Sequence, residues 1–367
     1  MTASESEHDA LIGQLGQLPD DEARRKFVES HPELHSRELL TALANRVNRE
    51  VRVDTAQAQR LADAAIAIAS VLGDAGSRAI GFRAKANALY GAGQNAAAAE
   101  LHQRAASLFE EAGDRMELAR TLSTSIQPLL LLGRYETALD AGQRAREIFR
   151  EEGNSWRLAR VEFNLGNIYY RQDRFVDALA AYQRAYEELL QHDDAEGIAG
   201  ALSNLATCHT SLNHFAEALE YHERARRFCQ DHQMPLLVVQ ADYNIAYLYF
   251  LRGEYGKAIE MLRAARVTAK KLDDGYHTSL CNLDLAEIYL ELNLSAEAGE
   301  LAWEAHVGFQ KLGSGYESAN SSSTSSAVEG WPVGVLRVTG ICSFSKRICC
   351  SWRGESMLNS VPASRCA

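Results

Sequence analysis

The sequence predicts an all-α fold, a solenoid of antiparallel helix hairpins, and three regularities carry that prediction. The first is a pair of alanine ladders with a forty-residue period: Ala58, Ala98, Ala138, Ala178, Ala218, Ala258 and Ala298, then Ala65, Ala105, Ala145, Ala185, Ala225, Ala265 and Ala305. Alanine is 56 of the 367 residues, so fourteen matches at fourteen places cannot come from composition. A fixed period of this length marks stacked supersecondary units. The second is a turn column, Gly93, Gly133, Asp173, Asn213, Gly253 and Asn293, all residue types that tolerate a left-handed helix end. The third is a boundary column, Asp74, Gly113-Asp114, Gly153-Asn154, Asp193-Asp194 and Asp273-Asp274, which closes one unit and caps the next.

Each element follows from these columns. The two alanines of a unit are seven apart and share one helical stripe, where a bare methyl lets a neighbouring helix approach and a larger group would overpack. Tyr135, Phe175, Phe215 and Tyr255 follow the turn and mark the start of the second helix. A unit is therefore a helix, a tight turn and a second helix. The unbroken period predicts one array over residues 37–313, about seven hairpins, preceded by a helical segment at 1–36 with a helix opening at Pro19-Asp20-Asp21-Glu22.

An eighth unit begins at 314–320, with Ala319 in register, and then breaks off. Residues 321–367 hold eleven serines, four of the seven cysteines and no aspartate. Such a tail is either a disordered low-complexity linker or the product of a reading-frame change near residue 320. The switch inside a helix favours the second, because an evolved boundary falls between repeats and ends on a polar capping helix.

Leu165, Gly166, Tyr169, Ala178, Tyr182 and Ala185 have the spacing of the tetratricopeptide repeat signature. Leu205, Ala206, Ala218 and Ala225 keep it in part, as do Ile245, Ala246, Tyr249, Ala258 and Ala265, and Leu285, Ala286, Tyr289, Ala298 and Ala305. The usual unit is about 34 residues. The forty-residue form resembles the long-helix subgroup of kinesin light chains, bacterial peptide-sensing regulators and the helical arms of CHAT-domain proteins. The resemblance implies a right-handed superhelix whose first helices line a concave groove, serving as a protein- or peptide-binding scaffold. It also implies two alternatives: the regulatory arm of a TPR–CHAT type protease or signalling protein whose effector domain is missing, and a stand-alone bacterial peptide sensor. Residues 1–36 resemble the short helical headpiece that precedes such arrays.

Composition narrows the function. The net charge of −11 argues against nucleic acid as a partner. No apolar run approaches the roughly 20 residues that span a bilayer, and the start MTASESEHD lacks the basic and apolar regions of a signal peptide, so the expected location is the cytoplasm. Cys208, Cys229 and Cys281 fall singly, as small core fillers, without zinc or redox spacing. No HExxH, paired CxxC, Gly-rich phosphate loop or GxSxG occurs, so neither catalysis nor a metal or cofactor is expected. His209, His214 and His222 are expected to be satisfied or solvent-facing.

The first helices offer a face instead. Its open side is expected to run Arg120, Ser123, Thr124 and Gln127; then Arg160, Phe163, Asn164, Asn167 and Arg171; then Ser203, Asn204, Thr207 and Thr210; then Gln240, Tyr243, Asn244, Tyr247 and Phe250. Asn164, Asn204 and Asn244 form a column one period apart. Such amides can donate to and accept from the backbone of an extended peptide, or bond to turns within the array. The candidate groove residues are Arg120, Arg160, Asn164, Asn167, Asn204, Tyr243, Asn244 and Tyr247, with Arg120, Arg160 and Arg171 placed to clamp an acidic peptide. Arg104, Arg144, Arg184 and Arg224 on the second helices read as surface charge. The unfinished repeat offers apolar surface for self-association at the C-terminal end of the array.

Overall fold

A computed structural model of the protein describes residues 3–51 and 53–312; the broken repeat expected at 314–320 and the tail at 321–367 lie outside the described residues. The described residues form α-helices and two short 3-10 turns. They begin with α1 (Ala3–Gln17) and α2 (Asp21–Glu29), then α3 (Arg37–Glu50), α4 (Thr55–Leu72), α5 (Ala75–Gly91), α6 (Asn95–Glu111), α7 (Arg115–Leu131), α8 (Tyr135–Glu151) and α9 (Ser155–Arg171). They continue with α10 (Phe175–Leu189), α11 (Ala195–Ser211), α12 (Phe215–Asp231), α13 (Pro235–Leu251), α14 (Tyr255–Lys271), α15 (Gly275–Glu291) and α16 (Ser295–Lys311). They divide into two compact units, 3–174 with 187–192, and 175–186 with 193–312. In the first, α1 and α2 pack on α4, and the pairs α3–α4, α5–α6 and α7–α8 stack in chain order, followed by α9. In the second, α11–α12, α13–α14 and α15–α16 stack in the same way.

The joints explain the turn and boundary columns. Gly93, Gly133, Asp173, Asn213, Gly253 and Asn293 all have φ between 58° and 76°. Each closes its helix with paired backbone bonds: the Gly93 N–H donates to the Tyr90 carbonyl and the Gln94 N–H to the Leu89 carbonyl, both at 2.9 Å. At the other boundary one residue serves two helices. The Asp114 N–H donates to the Phe109 carbonyl at 3.0 Å and so finishes α6, while its carboxylate accepts from the Glu117 N–H at 3.1 Å and starts α7. Asn154, Asp194 and Asp274 cap α9, α11 and α15 through the N–H groups of Arg157, Gly197 and His277. Such caps are worth about 1 kcal/mol each. The boundary before α13 is built differently: Gln233 takes the left-handed conformation, Met234 makes no side-chain cap, and Pro235 sets the first turn.

All fourteen ladder alanines are buried, none more than 3% exposed. A Cβ added to Gly81 of α5 would stand 3.3 Å from the Ala65 carbonyl and 2.8 Å from the Ala69 methyl of α4, so the backbones there meet at the distance only small residues allow. Larger side chains close the layers, Phe109 and Phe149 in the first unit and Phe309 in the second, all essentially inaccessible. Each contributes roughly 1.5–3 kcal/mol by burial.

One expectation about the histidines fails. His222 and His102, in the same repeat register, are each 1% exposed on the second helices. His102 has no partner at either ring nitrogen, and His222 has none at Nδ1. Burial pushes both down to about 3. Both are neutral apolar-core fillers, in a column where other repeats carry Tyr182 and Leu262, because the packing site selects for volume and offers no acceptor.

Candidate functional site

The first helices of the first unit carry a charged face. Arg83 of α5 is 8% exposed and pairs with the Glu117 carboxylate of α7, donating also to the Glu117 carbonyl at 3.2 Å and the Thr121 hydroxyl at 3.3 Å. Its guanidinium lies 5.1 Å from the centre of the Phe109 ring. Arg120 pairs with the same Glu117. Burial alone would raise the Glu117 carboxyl, but the two guanidiniums hold it below its ordinary value. Arg37, Arg83, Arg120, Asp114 and Glu117 share a cavity of about 200 Å³ with the amides of Asn45, Asn48 and Asn87. Asn87 donates to the Asn48 side chain at 2.7 Å.

Further along this unit, Asn164 is half-buried and its side-chain carbonyl accepts from Gln127 at 3.2 Å, a bond within the array. Asn167 and Arg160 are half-buried on the same helix, and Arg160 lies 4.9 Å from the centre of the Trp156 ring.

The second unit differs. Asn204 of α11 is 7% exposed, and Tyr243, Asn244 and Tyr247 of α13 are 3–4% exposed, so the open side expected for these four is closed. The reason is the size of the rings: Tyr243 lies 6.1 Å from His277 of α15 and 6.5 Å from Tyr247, which meets Phe250 edge-on at 5.6 Å. They fill the space between first helices. The Asn244 side-chain nitrogen is buried there with no hydrogen-bond partner. His277 is held by Asp274, Nδ1 to Oδ2 at 2.6 Å, and its Nε2 is buried without a partner.

The sequence reading missed Arg83 and Asn87. They stand two periods before Phe163 and Asn167, and carrying the register back past α7 finds them. Among the described residues no three His, Cys, Asp or Glu side chains come together as metal ligands, and no helix is long and apolar enough to cross a membrane. Of the outer arginines, Arg104 and Arg144 make exposed pairs with Glu100 and Glu110.

A tetratricopeptide repeat family model matches residues 117–188 and 157–231. Aspartyl phosphate phosphatase F from Bacillus subtilis is similar in structure, with a TM-score of 0.56 at 15% identity over 90% of this chain and 94% of that one. A Rap protein solved in complex with competence and sporulation factor gives 0.51 at 16% identity over 80% and 98%, and the apo form of RapI gives 0.52 at 16% over 68% and 96%. No curated protein matches in sequence. Residues 117–231 are therefore tetratricopeptide repeats, and the chain is a helical-repeat protein with the TPR-like solenoid fold.

Proposed function

We propose that the protein is a protein- or peptide-binding scaffold that holds an extended segment against the first-helix faces of its repeats. Residues 37–313 form the array and 1–36 its helical headpiece. Arg120, Arg160, Asn164 and Asn167 of the first unit do the holding; Asn204, Tyr243, Asn244 and Tyr247 of the second are closed in and take no part. No chemistry of its own and no cofactor belong to this reading. Its strongest support is that Arg120, Arg160, Asn164 and Asn167 stay partly exposed on the first helices of the first unit, where a ligand can reach them. Guanidinium and amide groups of this kind can donate to the carbonyls of an extended peptide. The fold shared with a Rap protein solved in complex with competence and sporulation factor adds to the case.

The test is selection of short random peptides displayed on phage against the full chain, followed by fluorescence polarisation of the enriched sequences. Replacing Asn164 and Asn167 together by Ala should weaken binding by about tenfold or more, with helix content unchanged by circular dichroism. Failure to enrich any peptide, or equal binding by the double variant, would overturn the reading.

A further inference from the structure

Counted with Arg157 beside them, Arg37, Arg83 and Arg120 outnumber the carboxylates around them, Asp74, Asp114 and Glu117. Arg37, Arg83 and Arg120 line the cavity between α3, α5 and α7 against Asp114 and Glu117, in a chain whose overall charge is −11. Glu117 is shared between two of these arginines. The third, Arg37, stands 3.7 Å from Asp114 and 4.0 Å from Asp74, beyond hydrogen-bond range of both. The excess continues along the face. Arg157 is lowered to about 10, chiefly by burial, with repulsion from Arg120, Arg83 and Arg160 adding to it and Glu117 opposing. The cavity has a floor of Ile80, Ala84 and the buried Arg83, and a mouth at the exposed Arg37 and Asn45. Gly76 makes room for the mouth arginine: a Cβ there would stand 2.8 Å from the Arg37 Nη2.

We propose that this cavity is a receptor for a multivalent oxyanion, a carboxylate- or phosphate-bearing ligand held between Arg37 and Arg120 at the rim and Arg83 on the floor, with Glu117 as the internal anion it competes against. About 200 Å³ suits one such group rather than a long chain. Guanidiniums bind both carboxylate and phosphate through paired N–H donors, and the asparagine amides can complete the set. The proposal does not depend on the asparagines of α9, which lie outside the cavity.

The experiment is calorimetric titration of the full chain with citrate, with inorganic phosphate, and with a glutamate-rich peptide beside its glutamine counterpart, each against sodium chloride at matched ionic strength. The arms separate carboxylate from phosphate and a free anion from one carried on a peptide. At least one anion should bind above the chloride control. Arg120→Gln should weaken it about tenfold, and Glu117→Gln, which keeps the shape and removes the competing charge, should tighten it about tenfold. Thermal melts check each variant, and Arg37→Gln, at an exposed position, gives the same readout if Arg120→Gln unfolds. The Asn164→Ala, Asn167→Ala double variant should bind the anion as the parent does, because neither residue lines the cavity, so this idea and the scaffold reading fail separately. Absence of binding above chloride, or a Glu117→Gln variant that binds no more tightly than the parent, would overturn the receptor.

Discussion

Where the second unit fills the space between its first helices with Tyr243 and Tyr247, the first unit carries Arg83 and Asn87 in the same register. The surrounding frame does not change: the alanine ladders are buried to the same degree in both units, and the left-handed turns recur in both. One face is an ionic network around a shared carboxylate, and the other is a set of tilted and edge-on rings around an unsatisfied amide. The difference teaches that a repeat register fixes where a side chain starts and leaves its burial to the size and charge of its neighbours.

The largest effect expected from this contrast is at Arg83. Arg83→Met keeps the length of the side chain but leaves Glu117 in a largely desolvated place with only Arg120, and should cost about 3 kcal/mol in urea unfolding, near the lower end for a buried pair that loses one partner. A loss below about 1 kcal/mol would mean that water already satisfies the network.

The next effect is common to both units. His102 and His222 are held near 3 when folded, against about 6.5 unfolded. Between those values the unfolded chain binds the extra proton, so the stability present above about pH 6.5 is lost as the pH falls toward 3. At about pH 5 each histidine should cost about 2 kcal/mol relative to neutral pH. His222→Leu, which copies Leu262 of the next repeat, should shrink the pH dependence by that amount. A melting profile as steep as that of the parent would contradict the burial.

The smallest effect has the opposite sign to the first. Asn244→Leu replaces a buried donor that has no partner with an apolar group of similar size, and should raise stability by about 1 kcal/mol. Destabilisation there would show that the amide already works within the array.

The frame was legible because its causes are local. A left-handed turn admits few residue types, a shared cap needs Asp or Asn, and a close helix contact needs a methyl, so each cause leaves a column in the sequence. Tyr135, Phe175, Phe215 and Tyr255 mark the first residues of α8, α10, α12 and α14. The site was less legible. Periodicity puts Asn164, Asn204 and Asn244 in one column, yet one accepts a bond from Gln127 while the other two are closed in. Burial depends on ring contacts across repeats, Tyr243 with His277 for example, which no spacing within one helix encodes. The boundary at Gln233 and Pro235 was missed because a proline-led first turn replaces the acidic cap that signals the others.

The shared joint residues limit how such a molecule can change length. Because Asp114 ends one helix and begins the next, an inserted or deleted amino acid there strips a terminus from both rods at once and leaves the chain no slack to absorb it. The length of such a chain is therefore quantised: a whole module can be added or removed with little disturbance to the rest, while a one-residue insertion or deletion at a seam disturbs two rods at once.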